Sequence, residues 1–352
     1  MISGERNKDK LYYRHEENEK KRCPCCGSLE TKKNGYTYSE ILTKRGKTKR
    51  ELHRYFCKAC GKSFSSAGYD VRKRVCDEIR KEAVLDYVCT KSSASEVGKR
   101  YGVTKMSVLN WMNQNADDFP KLEELNKDEA WSGYITLDGK EIKIRKQRRV
   151  IFTASDAVLK KPLFYKVYDS EDSANTRDFI QEVKDAYPIE IVGVTSDFGR
   201  GKCFVKVIEK QLPQALHQIC HVHFKRYVWL FLPRTKRSQY FWRNNMLKYL
   251  INKVLDAPTR DESLNWLEQF KKRIKFFKAS YHKRFIRSLL RNYAALTAHY
   301  ENPAIVKTSN VSENLNRQLE RKLKNTDGFK TESNLLSFLK IWFVQNRKNR
   351  HN

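Results

Sequence analysis

The feature that most constrains how this chain can fold is a pair of Cys-x2-Cys knuckles about thirty residues apart, Cys23-Pro-Cys25-Cys26-Gly27 and Cys57-Lys-Ala-Cys60-Gly61. Each ends in a glycine, which lets backbone amides turn toward the sulfurs, and four thiolates in this pattern suit a tetrahedral Zn²⁺. Cys23, Cys26, Cys57 and Cys60 are the expected ligands of a structural zinc, with Cys25 an extra thiol that competes with Cys26. A metal there ties the two ends of the intervening segment together. Tyr36-Thr-Tyr38 and His53-Arg-Tyr-Phe56 then read as strands of a zinc ribbon over residues 21–70. The nine cysteines are odd in number and clustered, which suits metal binding in a reducing compartment better than a disulfide framework.

The charge narrows the partner. With 71 Lys and Arg against 41 acids the net charge is +30, a field that gathers polyanions, so nucleic acid is the expected partner. No apolar run of about 18 residues is present to span a membrane. Residues 1–20 are charged without period and read as a flexible arm with no signal core, so a cytoplasmic, nucleoid-associated protein is expected. Between 71 and 116, Val75, Ile79, Ala83, Leu85 and Val88 mark one helix. Ser95 to Tyr101 marks a short second, Gly102 a turn, and Thr104 to Trp111 a third. This is the helix-turn-helix pattern, with Thr104, Lys105, Ser107 and Asn110 facing a major groove.

Residues 117–130 are polar and read as a linker with some helix. Strand-like runs follow at Tyr134–Asp138, Glu141–Ile144, Val150–Ala154 and Leu163–Tyr168. A helix fits Asn175–Ala186, a buried strand Glu190–Thr195, a helix Lys202–Lys210 and a strand Ala215–Cys220. Neighbouring strands followed by alternating helix and strand describe an α/β mixed sheet with packed helices, an order that matches a ribonuclease-H-like fold over 131–223. After Cys220 the strands stop. Residues 224–305 carry helical periodicity, with eighteen Lys and Arg against four acids between Lys225 and Arg291, and read as a basic helical insertion. Trp229, Trp242 and Trp266 within it are expected in its core. Residues 306–352 return two helices, Asn310–Lys324 and Leu335–Asn346, and a basic tail.

Asp138 and Asp197 end strand-like runs, and Glu313 lies in a predicted helix. Each alone has an ordinary structural use, as turn former, helix cap or first-turn acid. Their order is the informative part, because carboxylates so placed can converge on two divalent ions, as two-metal phosphodiester chemistry requires. Residues from about 134 to 346 resemble the DDE transposases of the Mutator type, which include many prokaryotic insertion-sequence enzymes. Thr308-Ser309-Asn310-Val311-Ser312-Glu313-Asn314-Leu315-Asn316 is similar to the Thr-Asn-x-x-Glu-x-x-Asn helix that carries their last acid. Cys220-His221-Val222-His223 is similar to their Cys-x2-His pair. The resemblance implies a catalytic triad of Asp138, Asp197 and Glu313 on Mg²⁺ (two ions, or Mn²⁺). Cys220, His223, Asn310 and Asn316 would be accessory. The spacing of Cys220 and His223 would let both reach one metal, with His217 and His221 close enough to compete, but the oxygen preference of Mg²⁺ favours a structural or hydrogen-bonding role for the pair. The resemblance further implies an enzyme that binds the terminal repeats of its insertion sequence in double-stranded DNA, cleaves there, and joins the 3′-hydroxyl to target DNA as a homodimer or higher assembly. Two other readings compete: a catalytically silent DNA-binding regulator, and a ribonuclease-H-like nuclease without strand transfer.

Overall fold

The computed structural model describes residues 21–65, 74–187, 190–198, 203–233, 239–326 and 328–348. The expected arm (1–20) and the end of the basic tail (349–352) lie outside the described residues. Two units divide the chain, one ending at Asn115 and the other beginning at Ala116.

In the first unit β1 (Thr31–Thr43), β2 (Gly46–Cys57) and β3 (Ser63–Ser65) form an antiparallel sheet in that order. β1 and β2 make a long hairpin closed by Lys44 and Arg45, with Thr43 opposite Gly46. β1 has no fully buried residue, and β2 buries only Leu52, Tyr55 and Cys57. The far end of the hairpin leads into the helices: Leu42 N donates to Arg74 O at 2.8 Å, and Cys76 N to Leu42 O at 2.9 Å. Three helices follow, α1 (Asp77–Cys89), α2 (Ala94–Arg100) and α3 (Lys105–Asn115). Val84, Val88, Val97, Val108 and Met112 are buried at their core, with Trp111 8% exposed. The start of α2 is a reciprocal cap, in which Ser93 Oγ accepts from Glu96 N and Ser93 N donates to the Glu96 carboxylate.

The α2–α3 turn depends on two glycines. Gly102 takes φ +64°, a conformation that L side chains resist, and a Cβ on Gly98 would stand 2.7 Å from Val103 O. Backbone, not a movable side chain, occupies that space. Gly98→Ala is therefore expected to destabilise the three-helix segment by about 1–3 kcal/mol. Hydrogen exchange of the α2 and α3 amides in the full chain checks this; unchanged protection contradicts it.

The second unit is built on a five-stranded sheet ordered β6-β5-β4-β7-β8. β4 (Tyr134–Ile144), β5 (Gln147–Asp156) and β6 (Pro162–Tyr168) form an antiparallel meander, and β7 (Gly193–Ser196) and β8 (Leu216–Ile219) add in parallel beside β4. The two runs expected at 134–138 and 141–144 are one strand, so Asp138 lies within β4, not at its end. Gly139 does not turn the chain; it sits opposite Phe152, whose ring is 3.3 Å from where its Cβ would be. The turn comes at Arg145 and Lys146, both at positive φ (46° and 71°), a two-residue hairpin that lacks the usual Asn-Gly signal.

Strand alternation sorts the faces. Ile135, Leu137, Phe152 and Val194 pack against Phe179, Ile180 and Val183 of α5 (Ser173–Ala186) and Phe204, Val207 and Ile208 of α6 (Cys203–Gln211). α5 begins two residues before the expected Asn175 because Asp172 caps it, accepting from Ala174 N and Asn175 N at 2.9 Å. The opposite face carries α12 (Asn310–Leu323) and α13 (Glu332–Lys348), where Tyr165 stacks on Phe343 at 4.1 Å.

Two details differ from expectation, the burial within the polar stretch 117–130 and the exposure of Trp242. The stretch expected as a linker holds α4 (Leu122–Asn126), with Leu122 and Asn126 buried. Asn126 donates to Pro162 O, Leu163 O and Tyr187 Oη and accepts from Arg347, which also pairs with Glu129. Between β8 and α12 run α7 (His221–Phe231), α8 (Phe241–Leu255), α9 (Arg260–Lys272), α10 (Ser280–Arg291) and α11 (Tyr293–Thr297). They share a core of Phe224, Leu247, Ile251, Phe270, Phe285 and Leu289. Trp229 and Trp266 pack against it, but Trp242 is 80% exposed and not in the core.

Candidate functional site

The sheet itself brings two acids together. In the parallel pairing of β4 and β7 the last partners are Leu137 and Ser196, and each is followed directly by an aspartate, Asp138 and Asp197. The next strand, β8, ends at Ile219, and its chain turns through Cys220 into α7. Cys220 N donates to Ser196 O at 2.8 Å, fixing the start of that helix beside Asp197. One ligand atom each from Asp138, Asp197 and His223 then lies within 4.8 Å of the others.

α12 supplies the second wall through a matched spacing. Residues two apart on a strand and four apart on a helix advance by similar distances, about 6–7 Å. Thr136, Asp138 and Lys140 accordingly meet Ser312, Asn316 and Glu320 in order. The Thr136 and Ser312 hydroxyls are 2.7 Å apart, Asn316 Nδ2 donates to Asp138 Oδ2 at 2.7 Å, and Lys140 Nζ pairs with Glu320 at 2.6 Å. Asp138 Oδ1 accepts from Gly139 N at 3.0 Å. Glu313 lies three residues before Asn316 on the same helix, outside the Asp138–Asp197–His223 group, and its Oε1 accepts from Arg317 Nη2 at 3.1 Å. Asn316 is buried, whereas Asn310 is exposed at the helix start.

Asp138 is 6% exposed, and burial pushes its carboxyl above the ordinary 3.8; the Asn316 amide and the charge of His223 oppose the rise, and Glu313 adds to it. Burial lowers His223, but the neighbouring Cys220 sulfur and the charges of Cys220, Asp197 and Asp138 bring it up to about 9. Burial likewise disfavours the Cys220 thiolate, while His223 and Ser309 outweigh it and lower that thiol. A buried carboxylate facing a second one wants a cation. Two carboxylates and an imidazole are donors that a divalent ion accepts, so the residues fit a metal.

This arrangement fixes the sign of a pH effect. A folded-state carboxyl pKa above the unfolded one means that the folded chain holds the extra proton, so stability falls as pH rises from about 4 through the folded value. Metal-free protein is expected to lose stability over that window, and Asp138→Asn, with no charge to bury, to escape the loss. Thermal unfolding of both metal-free proteins between about pH 4 and pH 7 checks this; parallel pH profiles contradict it.

In the first unit Cys23, Cys26, Cys57 and Cys60 form a second group within 4.8 Å. The two knuckles repeat one hydrogen-bond pattern: Gly27 N to Cys23 O and Gly61 N to Cys57 O, Cys23 N to Ser28 O and Cys57 N to Lys62 O. Both glycines take positive φ, 71° and 70°. The Cys23–Cys60 and Cys26–Cys57 sulfurs stand 3.6 Å apart, close to the edge of about 3.8 Å of a tetrahedron with 2.3 Å Zn–S bonds. Cys25 is outside the group, exposed, and accepts from Lys62 Nζ at 3.1 Å, so it does not compete with Cys26. The sulfurs cannot all ionise unaided. Burial opposes the Cys23 thiolate, yet the Cys25 and Cys26 amides and neighbouring thiols bring it down to about 6. The Lys62 amide favours the Cys60 thiolate, yet burial and the other three sulfurs push it up to about 12.

On the three-helix segment Thr104 and Asn110 are exposed, while Lys105 and Ser107 are half-buried. Thr104 Oγ1 accepts from Ser107 N at 3.1 Å, capping α3, and its hydroxyl is 2.9 Å from that of Ser107. Met106, 55% exposed among them, was not singled out by the sequence pattern.

Among the described residues no helix is long and apolar enough to cross a membrane. A curated relative, the "Insertion element ISM1 uncharacterized 48.3 kDa protein" of Methanobrevibacter smithii, is 25% identical over 352 residues, covering 94% of this chain and 83% of the relative. The family profile described as "Transposase, Mutator family" matches residues 31–350, nearly the whole chain. This chain belongs to the Mutator family of transposases.

Proposed function

We propose that this transposase is a metal-dependent DNA strand-cleaving and strand-joining enzyme, with Asp138, Asp197 and Glu313 as its acids on a ribonuclease-H-like core. The observation that carries this reading is the convergence of Asp138 and Asp197 from adjacent parallel strands, within a chain of charge +30. The strand order, an antiparallel meander extended by two parallel strands, supports the ribonuclease-H-like assignment. Mg²⁺ or Mn²⁺ held there would activate a water or 3′-hydroxyl for in-line attack and steady the leaving oxygen. The chain's own part is orientation: Asn316 and the Gly139 amide hold the two oxygens of Asp138, and α12, which carries Glu313 three residues before Asn316, would bring that acid to the metal.

The four cysteines would hold a structural Zn²⁺ in a ribbon, and α2 and α3 would act as a helix-turn-helix with Thr104, Lys105, Ser107 and Asn110 toward DNA. The basic helical insertion would grip phosphates. Joining two element ends calls for a dimer or higher assembly on the DNA, in the cytoplasm at the nucleoid.

An excision and reinsertion assay tests the reading, with the gene's own flanking DNA placed around a resistance cassette. Excision and new junctions with the wild type but not with Asp138→Asn are expected. Flank binding without excision by either protein would favour the silent regulator, and cleavage without new junctions the nuclease.

A further inference from the structure

We infer that His223 is a nitrogen ligand of the divalent ion that Asp138 and Asp197 hold, and that Cys220 is the positioning residue that orients its ring. The inference rests on the metal-dependent reading above and adds to it a donor of a different kind.

Three observations carry it. First, atoms bound to one ion at about 2.0–2.2 Å lie at most about 4.4 Å apart, and the ligand atoms of Asp138, Asp197 and His223 already lie within 4.8 Å of each other. A shift of a few tenths of an ångström closes the group. Second, the backbone dictates the approach: the amide of Cys220 is tied to Ser196, the residue before Asp197, so the first turn of α7 must present His223 at the end of β7, next to the middle of β4 where Asp138 lies. Third, a ligating histidine needs its other ring nitrogen tied to a partner, and Cys220 is placed for that. Its sulfur, three residues before His223, is fully buried and accepts from Ser309 N at 3.4 Å. His223 Nδ1 is buried without a hydrogen-bond partner among the described residues and is therefore free to take one by a small turn of the ring. Glu313 is not in the group and is engaged by Arg317, so the imidazole is the third donor that the fold gathers with the two aspartates. The alternative is an imidazolium that pairs with the aspartates and leaves the coordination to oxygen alone. A mixed nitrogen and oxygen donor set tilts the site toward Mn²⁺ relative to Mg²⁺, which prefers oxygen.

Pulsed electron paramagnetic resonance of Mn²⁺ bound to the full-length, zinc-loaded chain reads the donor directly. A ¹⁴N coupling is expected, converted to ¹⁵N when only histidine is labelled, lost in His223→Gln, and kept in His217→Gln. His217 is the control because its Nε2 is engaged by Ser196 Oγ at 2.9 Å. Mn²⁺ affinity should fall about 10–100-fold in Cys220→Ala, as for loss of a partner that orients a ligand. Mn²⁺ bound in an Asp138-dependent way without histidine nitrogen coupling overturns the inference and spares the metal site. Coupling that survives His223→Gln also overturns it. No Mn²⁺ retained by the wild type overturns the metal reading of the site as a whole. The isotope measurement uses the wild type, so a misfolded variant leaves the test intact.

Discussion

Asp197→Asn should reduce strand cleavage by about a thousandfold or more, equivalent to ~4 kcal/mol of transition-state stabilisation, with little change in binding to element ends. The expectation follows from where the residue sits. Asp197 follows directly on the last paired residue of β7, so its backbone is held by a sheet that the substitution leaves alone. Asn keeps the size of the side chain and removes the charge that a cation requires. End binding should survive, because the positive charge that would hold phosphates is spread over a chain of net +30, in which one site is a small part. Cleavage of a labelled end duplex in Mg²⁺, beside a gel-shift titration on the same duplex, separates the two effects. Cleavage within tenfold of wild type would remove Asp197 from the chemistry. Loss of both activities together would place its role in folding.

The sequence made the sheet and its two aspartates legible because strand signals are local. Apolar runs such as Ile191 to Thr195 announce buried strands, and an acid at the end of such a run stands out. The extent of β4 was not legible: Asp138-Gly139 is a turn signal read alone, and only the Phe152 ring across the sheet explains the glycine. The third member of the group was visible as half of a Cys-x2-His pair, but not as a neighbour of the aspartates. His223 is brought to the aspartates by the Cys220–Ser196 hydrogen bond, a contact between residues 24 positions apart that no local pattern encodes. Asn316 illustrates the same limit. Its spacing from Glu313 was visible, but its bond to Asp138 depends on how a helix 178 residues downstream lies across β4. Trp242 misled because an aromatic at helical spacing is usually core, and the sequence does not say which face of α8 is covered.

Cys57→Ser is the substitution expected to cost the first unit most. Its sheet is a poor fold without a metal: β1 has no fully buried residue, and the buried residues of β2 are Leu52, Tyr55 and Cys57 itself. Cores that small do not offset the entropy of ordering the chain, and structural zinc commonly supplies about 10–16 kcal/mol in such domains. Cys57 is both the most buried of the four sulfurs, at 0% exposure, and the residue that ends the long strand, so its loss opens the cluster and frees the hairpin together. The full-length variant should retain less than one zinc per chain and be cut by protease within residues 21–65, while the five-stranded unit keeps its protection. The five-stranded unit has its own apolar core, built on Leu137, Phe152 and Phe179, and contains none of the four sulfurs. Cys25→Ser is the matched control, since that thiol stands outside the group; equal zinc loss in both variants would mean that the four-sulfur assignment is wrong.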